Sequence, residues 1–183
     1  TIMSHYKELS IPEDDGAAKH LPNISIPKIS LPNQEGNLLR LDRSDTFRIV
    51  LFFFPMTGRP DRALPKNWNN IPGVKGCTIE TCSFRDKYYE MIRLNAVPIG
   101  ISTKSIDYNK EMTVRLRVQY DVLSDKHLKL KNALKLPIFS INNNHYFKRL
   151  SLVVENNIIK KVFYPIYPVN EHINEVLRWL KEN

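Results

Sequence analysis

Residues 49–54 read Ile-Val-Leu-Phe-Phe-Phe, an unbroken apolar run that stops at Pro55. The run is rich in β-branched and aromatic residues, and apolar side chains do not alternate with polar ones. This pattern is typical of a strand that is buried on both faces. We therefore predict a central strand over residues 47–54, inside a sheet that helices cover on both sides.

The chain after this strand alternates between helical and extended patterns. We predict helices over residues 77–94, 107–119, 127–135 and 170–182, and strands over residues 97–103, 122–123, 147–154 and 158–164. Residues 25–42 read as an edge hairpin with its turn at residues 33–37, and residues 56–75, which hold three prolines, read as a long loop. The fold class is thus α/β, with a mixed central sheet, an N-terminal extension over residues 1–24 and one domain over residues 25–183.

Composition excludes several classes of protein. The chain has 183 residues and 42% apolar residues, which suits a globular domain. Its longest apolar run is far shorter than the ~18 residues of a membrane span, and no export signal is visible, so we expect a cytoplasmic protein. The net charge is +8, but the basic residues are dispersed, and we expect no nucleic-acid partner.

The chain contains two cysteines, Cys77 and Cys82. Two are too few for a disulfide scaffold or for a zinc site built from cysteines, and the five histidines are scattered along the sequence. We expect neither a metal nor an organic cofactor. Redox chemistry and inert burial remain as the two interpretations of the pair.

Cys77 stands where the predicted helix begins, after the buried strand and the long loop. Unpaired backbone N–H groups and the positive end of the helix dipole face a side chain at that position and favour an ionised sulfur. The thiolate is the nucleophilic form of cysteine. A guanidinium from a distant segment would add to this effect, and Arg149 is the best candidate.

Cys82 follows five residues later in the same predicted helix. Five residues rise about 7.5 Å along a helix and turn about 500°, which puts the two Cα atoms more than ~8 Å apart. A disulfide requires Cα atoms within about 7 Å of each other. A bond between Cys77 and Cys82 therefore requires the first turns of the helix to unwind.

Residues 76–86, Gly-Cys-Thr-Ile-Glu-Thr-Cys-Ser-Phe-Arg-Asp, resemble the peroxiredoxin Q family, also called bacterioferritin comigratory proteins. Five further stretches resemble the family in the same order. They are residues 52–55, 100–103, 123–125, 148–152 and 176–180. The resemblance extends over about residues 25–182.

The resemblance implies a thioredoxin-like fold and an atypical two-Cys thiol peroxidase, a monomer or weak dimer, that reduces hydrogen peroxide and organic hydroperoxides. Cys77 matches the peroxidatic cysteine, which becomes a sulfenic acid. Cys82 matches the resolving cysteine, which forms an intramolecular disulfide that thioredoxin or a similar dithiol reduces. Arg149 matches the arginine that stabilises the thiolate and polarises the peroxide, and Glu80 matches the carboxylate that steadies this arginine.

The sequence departs from the family pattern just before Cys77. The family places a threonine three residues before the nucleophile, where this chain has Val74. Pro55 and Thr57, which belong to the same family motif, lie about twenty residues upstream of Cys77. We expect the loop to bulge outward so that Thr57 reaches the sulfur. The alternative is that backbone donors alone orient the peroxide.

Two other functions compete with peroxide reduction. A thiol-disulfide oxidoreductase would exchange electrons between proteins, although enzymes of the thioredoxin type use a Cys-x-x-Cys spacing. A non-enzymatic redox sensor would use the two thiols to switch a partner surface. Turnover of peroxide with a dithiol distinguishes the three functions.

Overall fold

The computed structural model describes residues 11–43, 47–74 and 76–183. The strands in these ranges are β1 (Ser30–Pro32), β2 (Leu38–Arg40), β3 (Arg48–Phe53), β4 (Ala96–Ser102), β5 (Val122–Ser124), β6 (Ile138–Ile141), β7 (Asn144–Phe147), β8 (Leu150–Glu155) and β9 (Ile158–Phe163). The helices are α1 (Cys77–Asp86), α2 (Tyr88–Arg93), α3 (Ile106–Arg115), α4 (Lys129–Leu134) and α5 (Val169–Glu182), with a short 3-10 helix at Trp68–Asn70.

The central sheet has the strand order β5-β4-β3-β8-β9. Strand β3 lies in the middle, parallel to β4 and antiparallel to β8, while β9 runs antiparallel to β8. The sheet is therefore mixed, and the prediction of an α/β fold with a central mixed sheet is confirmed. The predicted central strand corresponds to β3.

Both faces of β3 are buried, which explains the absence of alternation in its sequence. Leu51 and Phe53 belong to one hydrophobic cluster, which also includes residues of α4. Phe52 and Phe54 belong to a second cluster on the opposite face, which includes residues of α1 and α5. The ring of Phe52 stacks on that of Phe84 in α1, with the centroids 4.2 Å apart. This contact anchors α1 to the middle of the sheet.

Several element predictions require correction. The helix predicted over residues 77–94 is two helices, α1 and α2, separated at Lys87. The helix predicted over residues 107–119 ends at Arg115, and the predicted edge hairpin is a separate two-stranded sheet of β1 and β2. The hairpin of β6 and β7 was not predicted, and Phe147 belongs to it rather than to β8. Its turn is formed by Asn142 and Asn143, which both adopt positive φ, a conformation that asparagine tolerates well.

The described part of the predicted N-terminal extension, residues 11–24, packs on the domain. Leu21 is fully buried in the core. The N–H group of Asn23 donates to the carbonyl of Ile159 in β9. Residues 1–10, the remainder of the predicted extension, lie outside the described ranges, and the division into extension and domain stays a prediction. In the described ranges, the helices are too short or too polar to cross a bilayer.

A prediction concerns Gly100 in β4. A Cβ atom at this position would lie 2.9 Å from Cζ of Phe52 and 3.2 Å from Cε1 of Phe54. We expect Gly100→Ala to displace these packed rings and to lower the free energy of unfolding by about 1–3 kcal/mol, as overpacking does. Chemical denaturation measures this change.

Gly58→Ala is the matched control, because its added Cβ would only make an ordinary contact, 3.7 Å from Leu64. We expect Gly58→Ala to leave stability nearly unchanged. Equal denaturation midpoints for Gly100→Ala and the native chain would contradict the packing argument.

Candidate active site

Cys77 is the first residue of α1 and is 4% exposed. The residue before it, Gly76, has a φ of 107°, and a Cβ atom there would lie 3.1 Å from Cγ1 of Val169. Both the backbone conformation and the close approach to α5 therefore favour glycine. The N-cap residue of α1 is this glycine, which has no side chain to cap the helix. The N–H groups of its first turn thus remain available to an anionic ligand.

Arg149 approaches Cys77 from a distant part of the chain, the residue just before β8. Leu150 at the start of β8 pairs with Phe53 at the end of β3, so Arg149 lies at the carboxyl end of β3, close to where α1 begins. Its Nη2 atom lies 3.3 Å from the Sγ atom of Cys77. The same guanidinium donates through Nη1 to Oε1 of Glu80, at 2.8 Å. The register of β3 and β8 therefore brings the predicted arginine to the predicted nucleophile.

Arg149 and Glu80 form a buried ion pair, with side chains 3% and 1% exposed. Burial by itself would lower the pKa of the guanidinium, but the adjacent Cys77 and Glu80 raise it above its ordinary value. The arginine is therefore charged at any physiological pH. Arg149 Nη2 also donates to the carbonyl groups of Gly73 and Val74, at 3.3 and 3.2 Å. These bonds fix the segment that leads into Cys77.

A cavity of about 250 Å³ opens beside Cys77. One wall is the first turn of α1, and the other is the long loop between β3 and α1. Its lining residues are Met56, Gly58, Leu64, Trp68, Asn69, Val74, Gly76, Cys77, Thr78 and Ile79. Apolar side chains dominate this lining, and Asn69 and Thr78 add polar ones. Sequence reasoning identified this loop as a functional segment but did not identify Met56 or Trp68, because their contacts depend on how the loop folds.

Thr57 lies on the same loop and is buried. Its carbonyl accepts a hydrogen bond from the hydroxyl of Tyr108, at 2.6 Å. Burial raises the pKa of Tyr108 to about 12, so this hydroxyl keeps its proton and donates. Within the described ranges, the hydrogen bonds of the Cys77 sulfur involve the Val74 carbonyl and Arg149 rather than Thr57. The role of the Thr57 hydroxyl stays a prediction.

Pro55 lies on the other side of the arginine. It lines a second cavity of about 480 Å³, together with Val74 and Arg149. Val74 lines both this cavity and the cavity beside Cys77. Arg149 therefore contributes to the wall of a cavity that it shares with Pro55, although its side chain is almost fully buried.

Cys82 lies in the same continuous helix as Cys77, and both thiols are free. Cys77 is buried and Cys82 is half-buried. Because α1 is intact, its geometry keeps the Cα atoms of Cys77 and Cys82 too far apart for a disulfide.

In the part of the chain that the structure describes, no group of three or more His, Cys, Asp or Glu side chains is arranged to hold a metal ion.

Comparisons with known proteins agree on one family. The family model for Redoxin matches residues 20–177. A putative peroxiredoxin bcp from Coxiella burnetii is 25% identical over 82% of this chain and 92% of its own length. The chloroplastic peroxiredoxin Q from Populus jackii is 23% identical over 98% of this chain and 79% of its own length. These names agree with the resemblance found in the sequence.

Solved structures support the same conclusion for the fold. Peroxidoxin BcpB from Mycobacterium tuberculosis superimposes with a TM-score of 0.73 at 24% identity, over 89% of this chain and 98% of that one. A PrxQ mutant from Xylella fastidiosa gives a TM-score of 0.72 at 17% identity, over 89% and 97% of the two chains. The predicted thioredoxin-like fold is thus confirmed, and the chain belongs to the Redoxin family.

Proposed function

We propose that this chain is a thiol-dependent peroxidase in which Cys77 reduces hydrogen peroxide and organic hydroperoxides. The observation that carries the proposal is the contact between Arg149 Nη2 and Cys77 Sγ, 3.3 Å long, at an uncapped helix start. A charged guanidinium and free N–H groups both favour a thiolate. The names of the relatives, putative peroxiredoxin bcp and peroxiredoxin Q, point to the same chemistry.

The first step is the attack of the Cys77 thiolate on one oxygen of the peroxide. A sulfur–oxygen bond forms as the oxygen–oxygen bond breaks, and the leaving oxygen departs with the electron pair and takes up a proton. Cys77 becomes a sulfenic acid, and the peroxide becomes water or an alcohol. Arg149 and the first N–H groups of α1 stabilise the charge that develops on the leaving oxygen.

The second step regenerates the site through Cys82. The Cys82 thiol attacks the sulfenic sulfur, releases water and forms a disulfide with Cys77. An external dithiol, thioredoxin or a similar protein, then reduces this disulfide by exchange. The two electrons that reduce the peroxide thus come from the dithiol. Because α1 is intact in the reduced chain, its first turns must unwind before the two sulfurs can bond.

The cavity beside Cys77 suits small substrates. Its volume of about 250 Å³ holds hydrogen peroxide with ease, and its apolar walls suit the alkyl group of an organic hydroperoxide. The cavity therefore supports a small peroxide as the molecule that reaches Cys77.

The two cysteines have separable roles in this mechanism. We expect Cys77→Ser to abolish peroxide consumption, because the nucleophile is lost. We expect Cys82→Ser to consume one peroxide per chain rapidly and then to stop cycling with thioredoxin as reductant, apart from slower oxidation of the sulfenic acid by further peroxide. Peroxide assays with thioredoxin and its reductase measure both results. Continued cycling of Cys82→Ser with thioredoxin would contradict the resolving role of Cys82.

Arg149 is predicted to act on both the sulfur and the peroxide. We expect Arg149→Ala to slow the oxidation of Cys77 by about 10²- to 10³-fold, the effect of removing one donor that stabilises developing charge. Alkylation of Cys77 by iodoacetamide at neutral pH should slow as well, because the thiolate loses its cationic partner. Rapid mixing with peroxide and thiol alkylation followed by mass spectrometry measure the two rates.

Removal of Arg149 leaves Glu80 buried and unpaired, which destabilises the fold. Arg149→Ala combined with Glu80→Gln avoids this effect and should react as slowly as Arg149→Ala. Arg40→Ala, which removes an exposed arginine paired with Asp42, is the control and should react normally. Native rates in the double variant would rule out the proposed role of Arg149.

A further inference from the structure

The carboxyl half of α1 is tied to the segment between α3 and β5. The hydroxyl of Tyr120 donates to the carbonyl of Thr81, at 2.7 Å, and Thr81 immediately precedes Cys82. Arg85 Nη1 donates to the carbonyl of Leu116 at 2.7 Å, and Gln119 Nε2 donates to the carbonyl of Arg85 at 3.0 Å. These three bonds hold the part of the helix that carries Cys82 against a neighbouring segment.

Tyr120 is a rigid anchor for this contact. Its side chain is buried, and its ring packs edge to face against Phe52 with the centroids 5.6 Å apart. Its backbone carbonyl accepts a hydrogen bond from Gln34, which also accepts one from the N–H group of Val122. Burial raises the pKa of Tyr120 well above its ordinary value, so the hydroxyl keeps its proton and donates. The packing of the ring and the bond at its backbone carbonyl position this hydroxyl relative to the sheet.

Helix α1 is thus held near both cysteines. Arg149 and Glu80 hold its first turn beside Cys77, and Tyr120 holds the residue before Cys82. The disulfide requires the two sulfurs to meet, which the intact helix prevents. At least one of the two attachments must therefore be released before Cys82 can attack. The attachment at Arg149 is a buried ion pair. In the other attachment, the neutral hydrogen bond from Tyr120 is the one that reaches the residue next to Cys82.

We propose that Tyr120 is a positioning residue that keeps Cys82 in the helix and thereby sets the rate of the resolving step. This inference rests on the proposed function. Release of the Tyr120 bond is part of the cost of unwinding, so the bond slows disulfide formation without touching the peroxide. Tyr120 acts through the Thr81 backbone and takes no part in the oxidation of Cys77.

The rate of resolution decides between two fates of the sulfenic acid on Cys77. Condensation with the Cys82 thiol releases water and gives the recyclable disulfide. Attack on a second hydroperoxide transfers another oxygen atom, releases water or an alcohol and gives a sulfinic acid, which thioredoxin does not reduce. When the disulfide forms more slowly, the sulfenic acid remains exposed to a second hydroperoxide for longer. Tyr120 therefore sets how much peroxide the protein withstands before it is inactivated.

The test compares Tyr120→Phe with the native chain in rapid mixing with hydrogen peroxide. Trp68 lines the cavity beside Cys77, so its fluorescence reports the reaction, and acid quenching followed by mass spectrometry identifies the thiol, sulfenic, disulfide and sulfinic forms. We expect an unchanged rate of sulfenic acid formation and about fivefold faster disulfide formation, the ratio for about 1 kcal/mol from one hydrogen bond. The peroxide concentration that converts half of the protein to the sulfinic form during turnover should rise about fivefold.

Two further variants make the test specific. Gln119→Ala removes an exposed hydrogen bond of the same attachment with little risk to folding, and it should accelerate disulfide formation by a smaller factor. Tyr164→Phe removes a hydroxyl that donates to Asp15, away from α1, and should change neither rate. Disulfide formation that is no faster in Tyr120→Phe and Gln119→Ala would overturn the inference and leave the peroxidase function intact. Failure of the native chain to form a sulfenic acid at all would overturn both.

Discussion

The structure depends on one guanidinium that faces two acidic groups at once. Arg149 contacts the sulfur of Cys77 and the carboxylate of Glu80, and almost none of this cluster is exposed to solvent. A buried charge is costly unless it is paired, so the arginine, the carboxylate and the sulfur must fold together. The start of α1 and the register of β3 with β8 are the two structural conditions that bring them together. A shift in either would leave a charge without its partner.

The two ends of α1 serve different purposes. The first turn begins at a glycine that cannot cap it and lines a cavity, which suits a reactive group. The second half is packed against the sheet by Phe84 and tied to a neighbouring segment by Tyr120. Both halves are thus attached to neighbouring segments, the first by the ion pair between Arg149 and Glu80 and the second by Phe84 and Tyr120.

Much of this arrangement could be predicted from local sequence. The apolar run of residues 49–54 indicated a strand buried on both faces, and the structure confirms it. The position of Cys77 at a helix start followed from the helical pattern after a loop, and the family resemblance directed attention to Arg149. These features depend on periodicity or on short motifs, and both are visible in a single sequence.

The remaining features depend on contacts between distant segments. The break at Lys87 divides a continuous helical pattern, and the hairpin of β6 and β7 uses strands of four residues, too short for periodicity to identify. The buried carbonyl of Thr57 meets Tyr108 only because the long loop folds back on α3. No sequence pattern indicated a role for Tyr120, because its role depends on the hydrogen bond from its hydroxyl to the backbone carbonyl of Thr81.

The stacking of Phe84 on Phe52 has a consequence for recognition. Because it fastens the last turns of α1, the disulfide proposed between Cys77 and Cys82 would disorder only the few residues before those turns, and each of these residues would regain roughly 1–2 kcal/mol of backbone entropy. The oxidised molecule would thus differ from the reduced one by a small patch of loosened chain around the disulfide. A reductant that binds this patch would distinguish oxidised from reduced molecules by their conformation, before any exchange of electrons.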